Sequence, residues 1–382
     1  MEPILSFVSD VYFPVIVVLA FYFFILSLTN IFQMRRHTVP AEEILGGPMV
    51  SVLIPVRDEE ENIENCLASL CDQSYQNYEI LVIDDNSTDN TMNILKKMSR
   101  KNPKIRFFTG NPLPNAWYGK PYALQQLSVE ARGDILIFTD ADTIHRPSCI
   151  SWAVTNINSS KADFISGYVG QKLLTFGERV TVPLMFFLTG FIIPLWMNSR
   201  TKSSLFSAAV GQFIAVKRRV FQRIGGFETI KKKTSEDMYL ARYVKEQGYR
   251  TMFLDISGQV ECRMYAGYRA AVEGIGKNIF DFLGKNTLII FLIAFSVFFF
   301  LFLPFPLFFF MTANQSVYAV NLLVVNILYT LTWMILFLDR KIAWYYALLW
   351  PLMFLNLLYM ASWSWFKTVS GQGFFWKGRV VT

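Results

Sequence analysis

The 382 residues are 53% hydrophobic with 36 phenylalanines, and 36 Lys and Arg against 29 Asp and Glu leave a formal charge of +7. A chain this apolar is not an ordinary soluble enzyme, and charge gathered in one central block describes a soluble domain tethered to a bilayer. The positive excess suits anionic headgroups, and without an aromatic-basic motif beside it no nucleic acid is expected as a partner.

Residues 11–32 form an uncharged apolar run of about the ~20 residues a helix needs to cross a bilayer. Arg35, Arg36 and His37 follow at once, so by the positive-inside rule the chain from residue 35 onward is expected on the cytoplasmic side. The expected anchor covers residues 1–36. No basic residue precedes the run and no small-x-small site follows it, which argues against a cleaved signal peptide.

From Met49 strands and helices alternate. MVSVLIPVRDEE and YEILVIDDNSTDN are buried-type strands ending in acids, each followed by a helical stripe. Ile63, Cys66, Leu67 and Leu70 make the first stripe, and Ser87 or Thr88 is placed to cap the second helix, which runs through Leu95 and Met98. A short strand at 105–108, a Pro-rich loop and a helix over about 121–131 lead to DILIFTDAD. That strand delivers Asp140 and Asp142 to its carboxyl end with one residue between them. The pattern predicts an α/β fold with a mostly parallel sheet and right-handed crossovers.

Three acidic strand ends in order point to a nucleotide site, because ligands of open α/β sheets bind outside the carboxyl ends of strands. Asp140 and Asp142 are spaced to share one divalent cation, Mg²⁺ or Mn²⁺, against phosphate oxygens. Lys120 sits at a helix start, where an ammonium and backbone N–H groups meet phosphate. Only two histidines exist, and the four cysteines show no C-x-x-C spacing, so zinc and Ser-His-Asp chemistry lack material. His145 is expected to be a polar residue just beyond the carboxylate pair, and the cysteines to be packing residues.

Residues 181–197 (TVPLMFFLTGFIIPLWM) are apolar but interrupted by Pro183 and Pro194, inside the catalytic block. A span there would divide the site across the bilayer, so an interfacial or re-entrant helix is expected, with Phe186, Phe187 and Trp196 toward lipid. Runs at 287–311, 317–338 and 342–366 are each long enough to span. Neutral TANQS follows the first and Asp339, Arg340 and Lys341 follow the second, which fits outside and then inside placement. Counting then sends the tail at 367–382 outside, against its Lys367, Lys377 and Arg379.

In order, VSVLIPVRDEEENI, YEILVIDDNSTDNT, GKPYAL, DILIFTDADT, GQFIAVKRRVFQRIGGF and SEDMYLARYVKEQGYR resemble the membrane-bound family 2 glycosyltransferases of GT-A fold. The resemblance covers residues 50–278, within an expected cytoplasmic domain at 48–278. With the tail motif WKGR it extends to enzymes that glycosylate carotenoid acids and hopanoid-type lipids. It implies inverting transfer of a sugar, with glucose the expected one, from a UDP-sugar to a lipid acceptor. It further implies Asp237 in Ser235-Glu236-Asp237 as general base and Asp85 on the base of the nucleotide, with Asp84 and Asp58 flanking that pocket. Gln212, Glu236, Phe186, Phe187 and Trp196 are expected on the acceptor. The Gln-x-x-Arg-Trp motif of processive relatives is absent. In its place stands YAGYRAAVEGIGKN, where Arg269 or Lys277 is expected to contact phosphate, as are Trp376 and Arg379 of the tail. A processive polysaccharide synthase and a silent nucleotide-binding membrane scaffold are the alternative readings.

Overall fold

A computed structural model describes residues 2–42, 44, 46–233, 235–376 and 379–381, with side chains of these from 10 to 374. The elements in chain order are α1 (Glu2–His37), β1 (Val50–Val56), α2 (Ile63–Cys71), β2 (Tyr78–Asp84), α3 (Thr91–Lys101), β3 (Ile105–Thr109), α4 (Gly119–Glu130) and β4 (Ile135–Thr139). After them come β5 (Thr143–His145), α5 (Cys149–Ser160), β6 (Phe164–Tyr168), β7 (Gly170–Gln171), α6 (Phe176–Thr181), α7 (Pro183–Gly190), β8 (Phe213–Lys217), α8 (Arg218–Arg223), α9 (Glu236–Glu246), β9 (Thr251–Asp255) and β10 (Val260–Cys262). The chain closes with α10 (Tyr268–Phe282), α11 (Thr287–Ser296), α12 (Pro304–Ala313), α13 (Ala319–Asp339), α14 (Trp350–Val369) and the short hairpin Phe374–Trp376 with Arg379–Val381.

The main sheet runs β3-β2-β1-β4-β8-β6-β9 and is parallel except for β8, which lies antiparallel to both neighbours. In register, Val52 stands between Ile80 and Ile137, so the carboxyl ends of β1, β2 and β4 lie side by side. Near-continuous apolar runs such as YEILVID form these strands because helices cover both faces. Ile63, Cys66, Leu67, Leu95 and Trp152 seal one face, and Leu124, Leu127, Phe221 and Leu240 the other. The small sheet β5-β10-β7, which the residue pattern does not foretell, lies beyond the end of β4.

Three helices are long and apolar enough to cross a membrane: Asp10–His37, Ala319–Asp339 and Trp344–Val369. The first two run parallel, with the Tyr318 hydroxyl donating to Asp10 near one end and Arg35 paired with Asp339 at 2.6 Å near the other. The expected span at 287–311 is not one α-helix. A π-helical stretch at Val297–Phe302 separates α11 from α12, because Pro304 has no N–H to continue the ladder. The carbonyls of Phe299 and Phe300 accept instead from the hydroxyls of Tyr12 and Tyr329, each at 2.8 Å. This is the exchange that lets a break persist in an apolar setting.

The expected span at 342–366 overlaps the helix at Trp344–Val369, which is long and apolar enough to cross and also touches the catalytic block. Arg340 pairs with Asp255 of the catalytic sheet, and ten residues on Trp350 reaches Thr330, in the middle of α13. From there α14 follows α10 rather than α13. Asn356 bonds to Tyr268 and Thr181, and Ser364 to Gly276 and Phe280. Its opposite face exposes Leu352, Leu355, Tyr359 and Phe366. The helix is thus polar-bonded to the catalytic block along one side and apolar along the other.

The candidate active site

β4 ends at Thr139, and the chain turns through Asp140, Ala141 and Asp142 into β5. A buried network shapes that turn. Thr143 Oγ1 donates to the Asp140 carbonyl at 2.6 Å, and His145 Nε2 lies 2.9 Å from Thr143 Oγ1 and 3.2 Å from Thr139 Oγ1. Burial pushes the His145 imidazole down to about 3, so it stays neutral and structural, in line with its expected role. Beside the turn, Lys120 in the first turn of α4 bridges two carboxylates, Asp140 at 2.7 Å and Glu236 at 2.9 Å. Those acids hold its ammonium charged in spite of burial.

Asp237 completes the cluster. One carboxylate oxygen accepts the Gly211 N–H at 2.8 Å and the other accepts the N–H of Met238 at 2.7 Å, so the group is aimed by β8's entry loop as well as by its own helix. Space beside Gly211 is tight: a Cβ there would lie 3.3 Å from Lys120 Nζ and 3.4 Å from Asp237 Oδ2, so a larger residue would press on both groups. Burial first, then the neighbouring Glu236 charge, push the Asp237 carboxyl up to about 7, against the pull of Lys120.

Asp142 is likewise raised to about 7 by burial and by the charges of Asp140 and Glu59, and its buried Oδ1 has no hydrogen-bond partner. A carboxylate oxygen left bare beside like charge fits a cation. Among the described residues no group of three or more His, Cys, Asp or Glu surrounds a common point. A hard cation here would draw its remaining oxygens from phosphate and water, the usual arrangement for Mg²⁺.

Other expected residues take different places. Asp84 is buried and its Oδ1 accepts the Ser87 N–H at 3.2 Å and the Ser87 hydroxyl, which closes the turn after β2. Asp58, at φ +50°, accepts the Thr88 N–H at 2.7 Å and so ties the loop after β1 to the loop after β2. Ser87 and Thr88 are spent on these acids, and α3 starts later, with Asn90 at its N-cap. Asp85 lies between the two loops, and its carbonyl accepts from Arg57 at 2.6 Å. Gln212 is 2% exposed, donating to Cys262 Sγ and accepting from Gln171. Glu236 is spent on Lys120 in the same way.

Phe186 and Phe187 do not face lipid. Phe186 packs edge-on against Tyr168 at 5.0 Å, and Phe187 stacks on Trp333 of α13 at 5.6 Å, both inside one core with α1 and α14. The reason is that α7 is itself covered by the membrane helices, so its aromatic face becomes interior. Trp196 is half-buried with the Arg200 guanidinium over its ring at 5.4 Å. Arg269 is exposed on α10 and Lys277 half-buried on it, while the side chains of Trp376 and Arg379 lie outside the described residues. Sequence reasoning missed Tyr265 and Cys262, whose hydroxyl and thiol are pushed up by burial and then by the Asp142 charge. Tyr265 opens the very stretch that replaces the processive motif, which was the available signal.

Residues 51–225 match Glycosyl transferase family 2. The chain is 28% identical over 293 residues to the probable glycosyltransferase YdaM of Bacillus subtilis, covering 72% of this chain and 67% of that protein. It is 26% identical to the 4,4'-diaponeurosporenoate glycosyltransferase of Staphylococcus haemolyticus, over 60% of each. It is 35% identical to the beta-monoglucosyldiacylglycerol synthase of a Nostoc species, over 31% of this chain and only 27% of that one. The structure of a mannosyltransferase from Pyrobaculum calidifontis, solved with GDP-Man and Mn²⁺, superposes with TM-score 0.57 at 19% identity, over 95% of this chain and all of that one. The chain therefore carries a family 2 glycosyltransferase domain on a GT-A-like α/β fold, and it is a transferase.

Proposed function

We propose that this glycosyltransferase moves one sugar, glucose in the first instance, from a UDP-sugar to a lipid acceptor such as a carotenoid acid, a hopanoid or another glycolipid precursor. The observation that carries the reading is the convergence of Asp237, Lys120, Asp140 and Asp142 outside the carboxyl end of β4, with Asp85 at the same end of β2, beyond β1. The nucleotide base lies against Asp85 and the diphosphate reaches toward Lys120. Asp140 and Asp142 would hold Mg²⁺ or Mn²⁺, which supplies Lewis-acid stabilisation of the departing phosphate when bound. The Mn²⁺ in the mannosyltransferase structure supports a divalent metal.

Asp237 takes the proton of the acceptor hydroxyl as that oxygen attacks the anomeric carbon. A carboxyl near pH 7 in basicity suits this transfer. One base and one direct attack invert the anomeric centre. Lys120 needs only to exchange a carboxylate for a phosphate oxygen to follow the leaving group. Lipid-modifying names among the relatives, and apolar helices packed around the domain, support an acceptor from the membrane.

The test uses the full chain in membranes with radiolabelled UDP-glucose and, in parallel, GDP-mannose. The expected product is an organic-soluble lipid carrying one sugar from UDP-glucose, lost in Asp142→Ala. A ladder of sugars identifies a polymerase, and absence of transfer from every nucleotide sugar identifies a scaffold.

A further inference from the structure

A second polar cavity, of about 170 Å³, lies between the loop at 198–202 and the turn from α9 into β9. Arg200, Lys202, Lys245 and Arg250 line it, and no carboxylate does. Four cations without an acid in one concavity repel one another, and such a cluster is stabilised by an anion. Arg200, Lys202 and Arg250 have exposed side chains that are free to close on a guest.

The floor of the cavity is built, not incidental. Lys245 is 2% exposed and donates to the Asn198 carbonyl at 2.5 Å and to Asn198 Oδ1 at 3.2 Å. Thr251 donates to the same Oδ1, which fixes the amide. Asn198, itself 2% exposed, is left with an Nδ2 that has no acceptor. A buried donor without a partner in a cationic pocket is a demand for an oxygen anion.

The location says which anion. Asn30 of α1 binds Gly190, Ile193 and Leu195, which holds the segment leading to Asn198 against the last turns of that helix. His37 at its end feels the charges of Arg200 and Arg250. Arg200 also lies over Trp196, an amphipathic ring of the kind found at headgroup depth. The pocket thus opens where a charged helix end leaves the bilayer. It is also apart from the donor site: Thr251 begins β9, which runs parallel to β4 through two antiparallel steps, so the cavity lies at the opposite end of the sheet from Asp140.

We propose that this pocket binds the phosphate group of an anionic membrane lipid, separately from the donor and acceptor of the transfer reaction. The test measures binding of dihexanoyl phosphatidic acid to the detergent-solubilised full chain by calorimetry, with and without inorganic phosphate. Arg200→Ser with Lys202→Ser should weaken it about tenfold or more, the effect of losing charge-assisted hydrogen bonds. Arg250→Ser alone, a second variant at an exposed side chain, should weaken it in the same direction, while Lys101→Ser on the surface of α3 leaves it unchanged. Unfolding temperatures equal to wild type certify the variants. Resistance of the lipid to displacement by inorganic phosphate supports a headgroup, and displacement at similar concentrations keeps the phosphate site but makes free phosphate its ligand. Equal affinity in wild type and both variants, or an equal loss in Lys101→Ser, overturns the proposal.

Discussion

At Asp237 two roles that residue type alone leaves open are separated by one contact. An acid in a first helical turn is favoured by the helix dipole, and Asp237 does accept the Met238 N–H. Its other oxygen, however, is held across the chain by Gly211 and lies beside Lys120. The carboxyl is raised to about 7, and only its deprotonated form accepts a proton, so the transfer rate should rise with pH to a plateau, with a midpoint near 7. Lys120 holds that pKa down, so Lys120→Ala should move the midpoint to higher pH as well as slow the reaction. A pH profile of initial rates on both proteins checks the sign. Asp237→Asn keeps shape and should retain nucleotide affinity while transfer falls about 10²- to 10⁴-fold, the ordinary loss for a general base. A wild-type rate in that variant would reduce Asp237 to a capping residue.

At the scale of elements, the joint between α1 and the segment at 190–195 decides how the catalytic block is seated. Asn30 is 1% exposed in an apolar helix and donates to the carbonyls of Gly190 and Ile193 at 2.6 and 2.9 Å while accepting the Leu195 N–H at 2.8 Å. Those backbone groups are freed where α7 stops before Pro194, and a buried group left unpaired costs about 1–3 kcal/mol. Asn30→Ala should therefore lower stability by about 2–3 kcal/mol or more, read as a fall in unfolding temperature in detergent. An unchanged transition would mean that water replaces the amide.

For the whole molecule, α1 and α13 run parallel, the broken helix α11–α12 runs counter to them, and α14 stays alongside α10. The end of α14 then lies on the catalytic side: Lys367 stands over the Phe374 ring, which approaches Gly276 of α10. We predict that the end of α14 shares the face of Arg35 and Arg340, which resolves the parity conflict that counting spans creates. A cysteine placed at Lys101 and one placed at Gln372 should react with an impermeant maleimide from the same side of sealed vesicles, and one at Gln315 from the other. Labelling of Gln372 together with Gln315 would instead put the end of α14 on the side of the turn at 315.

What the residues determined alone was chemistry of short range: the apolar runs ending in acids, the Asp140 and Asp142 spacing, and the alternation that makes a mostly parallel sheet. These were legible because strand periodicity and carboxylate spacing are local. What only the tertiary structure decided was which polar groups remain available. Asp58, Gln212 and Glu236 look alike in sequence to working residues, yet each finds a partner far along the chain. Phe186 and Phe187 look ready for lipid but are covered by α13 and α14, and the run at 342–366 also packs along α10. Burial and hydrogen-bond satisfaction depend on neighbours distant in the chain, and hydropathy measures only how much a segment avoids water, not what shields it.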